Sequence, residues 1–305
     1  MSDDLGWVDK MVAEQQAIAR ARGLVSKRDP KIMERTEEKQ TSIKQDNLPT
    51  IYGFDGEVQL AKELVKAAHG LNIHELRLIR HAVSKIHPTA PQPSQLVVKI
   101  TAIDYAEAMS IKESKHFYSD LEKAAEGLWK KQIRIRKDSV KGEVIETIGW
   151  ISYSKYHRGE GWVELRFTAE VTPFLSMLKD GDKIIYKLQN LIDLKSVYAV
   201  RLYELLMQWQ DTKRLLIKLD DFRHALEVPE KYLFGDLKVN CLDRPIKELK
   251  EKGKLDIEYK VIKDKENKRK VGALEFNWKP VEQIEMSLEG GETHKKKRGR
   301  KPKEA

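Results

Sequence analysis

Twice along this chain of 305 residues the hydrophobic period changes in the same order, and that order restricts the fold more than any single motif does. The first pass begins between residues 57 and 86. There Leu60, Leu64, Ala67 and Leu71, then Leu76, Ile79, Ala82, Val83 and Ile86, recur at the three-and-four spacing of amphipathic helices. Two helices are expected, meeting near Gly70-Leu71-Asn72, with Asn72 capping the second and Pro88, Pro91 and Pro93 stopping it. Residues 96–100 read as a strand, and Thr101 with Asp104 three positions on reads as a capping box opening a helix over 102–109. A turn at 110–113 leads into a longer helix over 114–131, whose inner face carries Phe117, Leu121, Ala124, Ala125 and Leu128. Strands are expected over 132–136, 143–156 and 161–167, the last two joined by the turn 156–161.

The second pass repeats the order. Residues 196–210 form a strongly periodic helix, 215–217 a short strand, 219–226 a helix, and 236–252 a longer helix with Gly253 as its C-cap. Two strands, 255–263 and 270–278, follow around a polar loop. Two helices joined by a tight turn are a helix-turn-helix, and a following hairpin makes a winged helix. The fold class is therefore α+β: two tandem winged-helix domains with a flexible N-terminal arm and a basic C-terminal tail. The expected divisions are a mobile arm over 1–56 with a short helix at 13–22, a first domain over 57–180, a second over 181–281 and a disordered tail over 282–305.

Charge has to be located before it is interpreted. The net charge is +9, but residues 294–305 (HKKKRGRKPKEA) hold seven Lys/Arg and one Glu and so supply six of the nine charges. With the body nearly balanced, net charge predicts nonspecific, salt-sensitive affinity, while specific recognition must rest on a few placed side chains. Cys241 is a lone cysteine and cannot close an intramolecular disulfide, and the start of the chain lacks a signal-peptide pattern; a reducing bacterial cytoplasm is expected. Apolar runs such as Leu96-Val97-Val98 fall far short of the roughly 20 residues that span a bilayer, so no membrane association is expected.

The sharpest cluster lies in the second pass. Lys238, Asn240, Arg244, Lys247 and Lys250 run along the expected recognition helix, with Leu237, Cys241, Leu242, Ile246 and Leu249 facing the core. Arg and Lys can reach guanine O6/N7 or phosphates, and Asn can pair bidentately with adenine. An ordinary solvated helix face has the same composition, since Glu248 and Glu251 are interspersed. Pro245 either kinks the helix or, with Asp243 as N-cap, confines it to its second half. At the wing tip, Lys263, Lys265, Lys268, Arg269 and Lys270 suit contacts beside the major groove, although a soluble turn looks similar.

In the first pass Ser114, Lys115, Tyr118, Lys130 and Lys131 mark the corresponding helix, with Arg134 and Arg136 after it. Phosphate contact is their candidate role, and the exposed face of a strand is the plainer reading of the two arginines. In the tail, Arg298, Gly299 and Arg300 resemble the core of an AT-hook, a minor-groove reader, with Lys301 inserted before Pro302; a nonspecific electrostatic tail is the alternative. Enzymatic signals are weak. There is no phosphate-binding G-x-x-x-x-G-K-[ST] loop, and no His-apolar-His pair to hold a metal beside a nicking tyrosine. His69, His74, His81 and His87 lack metal-ligand spacing and read as surface and interface side chains. No metal, cofactor or catalytic residue is expected.

Two stretches carry a family resemblance: residues 63–68 (ELVKAA) running into 71–79 (LNIHELRLI), and 196–206 (SVYAVRLYELL) followed by 245–249 (PIKEL). Together they resemble the iteron-binding initiators of theta-replicating plasmids, the RepB/RepE-like family, over about residues 57–279. The resemblance implies two winged helices in tandem, the C-terminal one making the principal contacts to directly repeated origin sites in double-stranded DNA. It implies a first domain that adds backbone contacts as a monomer or forms a homodimer interface, the dimer repressing its own gene. A role in opening adjacent A·T-rich DNA, and recruitment of a host replication initiator and replicative helicase, are implied in the same way. Lys238, Asn240, Arg244 and Lys247 fall on the recognition-helix segment, with Val239 between them. The competing readings are a winged-helix transcriptional repressor without origin function and a rolling-circle nicking enzyme.

Overall fold

The computed structural model describes residues 56–86, 96–109, 117–253, 255–264 and 267–281. The arm, the helix at 13–22, the three prolines after residue 87, the turn at 110–113 and the tail lie outside these residues, as does the Phe117 side chain.

The chain enters on a strand. In β1 (Glu57–Ala61) Val58 and Leu60 are fully buried and alternate with half-exposed neighbours, so the helix expected from residue 57 begins only as the five-residue α1 (Lys62–Lys66). Leu60 sits in a strand and Leu64 in a helix; their spacing of four mimics one continuous helical face. α2 (Ile73–Ser84) starts where Asn72 predicts. Asn72 Oδ1 accepts from the backbone N–H of His74 and Glu75 at 2.9 and 3.0 Å, and Asn72 N–H donates to Glu75 Oε2 at 2.8 Å, a complete capping box. β2 (Val97–Thr101) leads into α3 (Ala102–Ala108), where Thr101 Oγ1 accepts from Asp104 N–H at 3.0 Å, half of the expected box. α4 (Phe117–Leu128) packs Leu121, Ala124, Ala125 and Leu128 inward.

The expected strand over 143–156 is two strands. β3 (Gln132–Ser139) pairs with β4 (Gly142–Gly149) and touches Ala68 through a single bridge at Arg134, whereas β5 (Ile151–His157) pairs with β6 (Trp162–Phe167), which also pairs β2. The break has a visible cause: Trp150 and Ile151 are both buried, and two successive inward side chains cannot sit on one flat strand. β7 (Lys183–Lys187) lies beyond the expected division at 180 yet pairs antiparallel with β1, placing Ile184 opposite Leu60 and Tyr186 opposite Val58.

The second unit comprises α5 (Val197–Met207), β8 (Arg214–Lys218), α6 (Leu219–Ala225), α7 (Phe234–Leu237), a π-helical turn (Lys238–Asp243), α8 (Arg244–Glu251), β9 (Leu255–Lys263) and β10 (Val271–Pro280). Its sheet order β8-β10-β9 repeats the order β2-β6-β5 of the first unit, both antiparallel. The two passes are thus one topology used twice, with the β3–β4 hairpin inserted in the first.

The long helix expected over 236–252 is split by the π turn. Asp243 has helical dihedrals (φ −60°, ψ −47°) and its side chain caps nothing, so it is not the N-cap. Arg244 N–H reaches back five residues to Val239 O, and the next residue, Pro245, has no N–H to give. The ladder is re-seated by one residue rather than broken. At the far end Lys252 is the C-cap and Gly253 serves packing instead: a Cβ there would lie 2.9 Å from Leu249 Cδ2 and 3.0 Å from Leu249 O.

One apolar core runs through both units, and α5 is its spine. Arg201, on α5 and buried, donates from Nη2 to Val65 O and Ala67 O in the first unit (2.8 and 2.7 Å) and to Ala225 O in the second (2.8 Å). Glu204, one turn on and wholly buried, accepts from Arg80 Nε and Tyr186 Oη, each at 2.6 Å. Burial opposes its ionisation, but the adjoining Arg80 and Arg201 and the tyrosine hydroxyl outweigh it and hold the carboxyl below its ordinary value. His69 and His81, read from the sequence as surface and interface side chains, are likewise buried.

Candidate nucleic-acid interface

In the second unit most of the residues singled out by sequence are exposed on the π turn, α8 and the wing. Lys238, Arg244, Lys247 and Lys250 are exposed and Asn240 is half-exposed along the π turn and α8, while Leu237, Cys241, Leu242 and Leu249 are buried behind them. Pro245 is buried too, and Ile246 packs at the edge of the core.

These polar side chains are tied to one another. Lys238 Nζ lies 3.1 Å from Asp243 Oδ2, and Asp243 Oδ1 accepts from Tyr259 Oη on β9 at 2.7 Å. Burial and this carboxylate raise the Tyr259 pKa, so the hydroxyl stays protonated as a donor. Asp243 is the one acid on the turn, and its charge is compensated from both sides. Asn240 Nδ2 donates to Asp236 O at 3.0 Å and Asn240 Oδ1 accepts from Arg244 Nη1 at 3.0 Å. Lys247 is 3.9 Å from Glu251, and Lys250 is 2.7 Å from Asp256 on β9.

The wing loop is folded on itself. Asp264 N–H donates to Lys270 O, Lys270 N–H to Asn267 O, and Asn267 Oδ1 accepts from Arg269 N–H. That leaves the side chains of Lys263, Lys268, Arg269 and Lys270 exposed; Lys265 lies outside the described residues. Between this loop and the start of α7 runs a groove lined by Lys218, Lys263, Arg269 and Lys270, tempered by Asp220 and Asp264. Lys218, at the entry to α6, was not legible as a site residue. It stands 45 residues before the wing in sequence, and only the pairing of β8 with β10, Lys218 opposite Ala273, brings it there.

The first unit is less uniform. Ser114 and Lys115 lie outside the described residues. Lys130 is exposed at the end of α4, and Tyr118 O accepts from Tyr156 Oη at 3.3 Å. Lys131 is 3.4 Å from the buried Glu75, Arg134 is 3.4 Å from Glu227, and Arg136 pairs with Glu143 at 2.6 Å. Arg134 and Arg136, with His224 and Glu227, line a cleft between the two units. The wing of this unit carries a basic-aromatic cluster that the sequence did not disclose. Trp162 stacks on His157 (5.3 Å between centroids) with Lys99 Nζ 4.0 Å and Lys155 Nζ 5.5 Å from its ring. The sequence places Lys99, Lys155 and Trp162 on strands and His157 in a turn; the structure ends β5 on His157, and the β2-β6-β5 order brings the four together. Arg298, Gly299 and Arg300 lie outside the described residues.

Two winged helices in tandem, the second with a polar-basic helix beside a basic wing, define a protein built on the plan of duplex-DNA binders. Comparison narrows the class. Residues 57–207 match the family described as "Initiator Replication protein, WH1" and residues 218–278 the family described as "Initiator Rep protein, WH2". The chain belongs to this family of replication initiators. It is 31% identical over 179 residues to a "Replication initiation protein" of Escherichia coli, an alignment covering 56% of this chain and 54% of the relative; the chain thus spans about half the length of that relative. It resembles in fold the crystal structure of the Pi initiator protein in complex with iteron DNA, with a TM-score of 0.60 and 20% identity over 75% of this chain and 98% of the other.

Proposed function

We propose that this protein initiates plasmid DNA replication by binding directly repeated origin sites, the second winged helix reading sequence and the first adding contacts along the backbone. The observation that carries this reading is that the second unit exposes Lys238, Arg244 and Lys247 along its helix and gathers Lys218, Lys263, Arg269 and Lys270 around a groove beside its wing. Membership of the initiator family and likeness in fold to an initiator bound to iteron DNA support it. The protein acts by assembly: bound copies bend or wrap the repeats, help open adjacent A·T-rich DNA, and recruit the host initiator and helicase in the bacterial cytoplasm. A homodimer formed by the first unit represses the gene. The exposed Val140, Val144 and Ile145 of the β3–β4 hairpin suit such a self-contact. The tail over 282–305 adds salt-sensitive, nonspecific affinity.

A Lys238→Ala/Arg244→Ala double variant is expected to keep wild-type circular dichroism and melting while losing specific binding to the repeats flanking the gene. Unchanged repeat affinity at moderate salt would defeat the assignment. A replicon carrying only this gene and its upstream repeats is expected to yield transformants, whereas a pure repressor would yield none.

A further inference from the structure

The residue types alone suggest that Asn240 pairs with adenine, and the geometry argues against it. Bidentate adenine recognition uses both edges of the amide, Oδ1 accepting from N6 and Nδ2 donating to N7. In Asn240 both edges already have partners within the protein. The orientation of the amide is fixed by chemistry, because Asp236 O can only accept and the Arg244 guanidinium can only donate.

Arg244 is in the opposite position. It is exposed, and among the described residues only Nη1 is engaged, leaving the Nε–Nη2 edge unengaged. Two N–H groups on one planar fork match the O6 and N7 acceptors of guanine. The π turn brings the pair together: with about 4.4 residues per turn, positions 240 and 244 are more nearly eclipsed than on an α-helix. A flexible arginine held at one end by a partly shielded amide loses less freedom on binding than a free one.

We propose that Arg244 is the specificity-determining side chain of the second winged helix, reading a guanine through O6 and N7, and that Asn240 is a positioning residue that orients it without contacting a base. This rests on the DNA-recognition function proposed above.

The test uses the full chain to select duplexes from a random library. On the enriched sequence each guanine is replaced singly by 7-deazaguanine and each adenine by 7-deazaadenine, which removes N7 and preserves base pairing. Binding is measured at one low ionic strength, so that variants still bind. Wild type is expected to lose on the order of tenfold in affinity at one guanine of each half-contact. Arg244→Ala is expected to show no loss at that guanine, and Asn240→Ala a reduced loss at the same position with unchanged thermal melting. An adenine whose N7 matters to wild type and to Arg244→Ala but not to Asn240→Ala would overturn the assignment, as would the absence of any Arg244-dependent guanine. Recovery of no enriched sequence would remove the DNA-recognition reading itself, and this assignment with it.

Discussion

His81 shows what one buried side chain does to the whole. It lies on α2 with 5% of its surface exposed, edge-on to Tyr105 at 6.2 Å between centroids, and neither ring nitrogen has a hydrogen-bond partner among the described residues. Burial lowers its pKa to about 4; Lys85 pushes the same way and Asp104 opposes. His69, buried against Leu64 O at 2.7 Å, is also lowered, by burial and then by Arg201 and Arg80. In the unfolded chain both take a proton near the ordinary histidine value of about 6.5. Between there and the folded value the unfolded state binds more protons, so stability falls as pH falls, by up to about 1.4 kcal/mol per pH unit for each histidine. His81→Phe is expected to flatten this loss by about 2 kcal/mol between pH 7 and 5, read from urea midpoints. Identical slopes for the variant and wild type would show that the ring titrates normally. The sequence reading assigned the histidines no such role, because their burial depends on neighbours distant in sequence, Tyr105 for His81 and Trp150 and Arg201 for His69, that local spacing does not reveal.

At the scale of elements, local chemistry was legible and interruptions were not. Asn72 and Thr101 caps, the periodic face of α5 and the alternation of β9 and β10 all express contacts within a few residues of themselves. The breaks at Trp150 and at the π turn express packing across the unit, so a period computed along the chain runs straight through them. Gly253 is the same lesson at a boundary. Sequence marks it as a left-handed cap, whereas its constraint is the close approach of Leu249 at 2.9 to 3.2 Å. Gly253→Ala must therefore force residue 253 away from the last turn of α8, and is expected to destabilise the chain by about 1–3 kcal/mol. A denaturant midpoint within error of wild type would mean that the helix end yields freely. The candidate site was legible as a list of residues on the recognition helix and wing. Its internal pairing, Lys238 with Asp243 and Arg244 with Asn240, and the place of Lys218 beside the wing required the folded register.

At the scale of the molecule, sequence showed two units but not how they are joined. Most of the charge excess sits in residues 294–305, whereas the joint is made by polar and charged groups paired across the two units. Arg201 holds three backbone carbonyls from both units, and Glu227, in a left-handed conformation (φ 52°), accepts from Gly70 N–H at 2.6 Å across the same seam. His224 Nε2 meets Arg134 O at 3.1 Å beside it. A joint of paired polar groups, Arg201 buried and His224 and Glu227 half-buried, is specific rather than strong, because each group has exchanged water for partners of fixed geometry. Removing the partner is then costly. Arg201→Met leaves Val65 O, Ala67 O and Ala225 O without that donor, and is expected to cost about 3–5 kcal/mol. The form of the loss is more diagnostic than its size. With the seam intact the two units share a core and should unfold in one cooperative transition. With Arg201→Met the first and second units should separate into two transitions, followed by hydrogen exchange of β2 and β6 in one and of β9 and β10 in the other. A variant that still unfolds in a single transition with coincident probes would place the coupling in the apolar core instead.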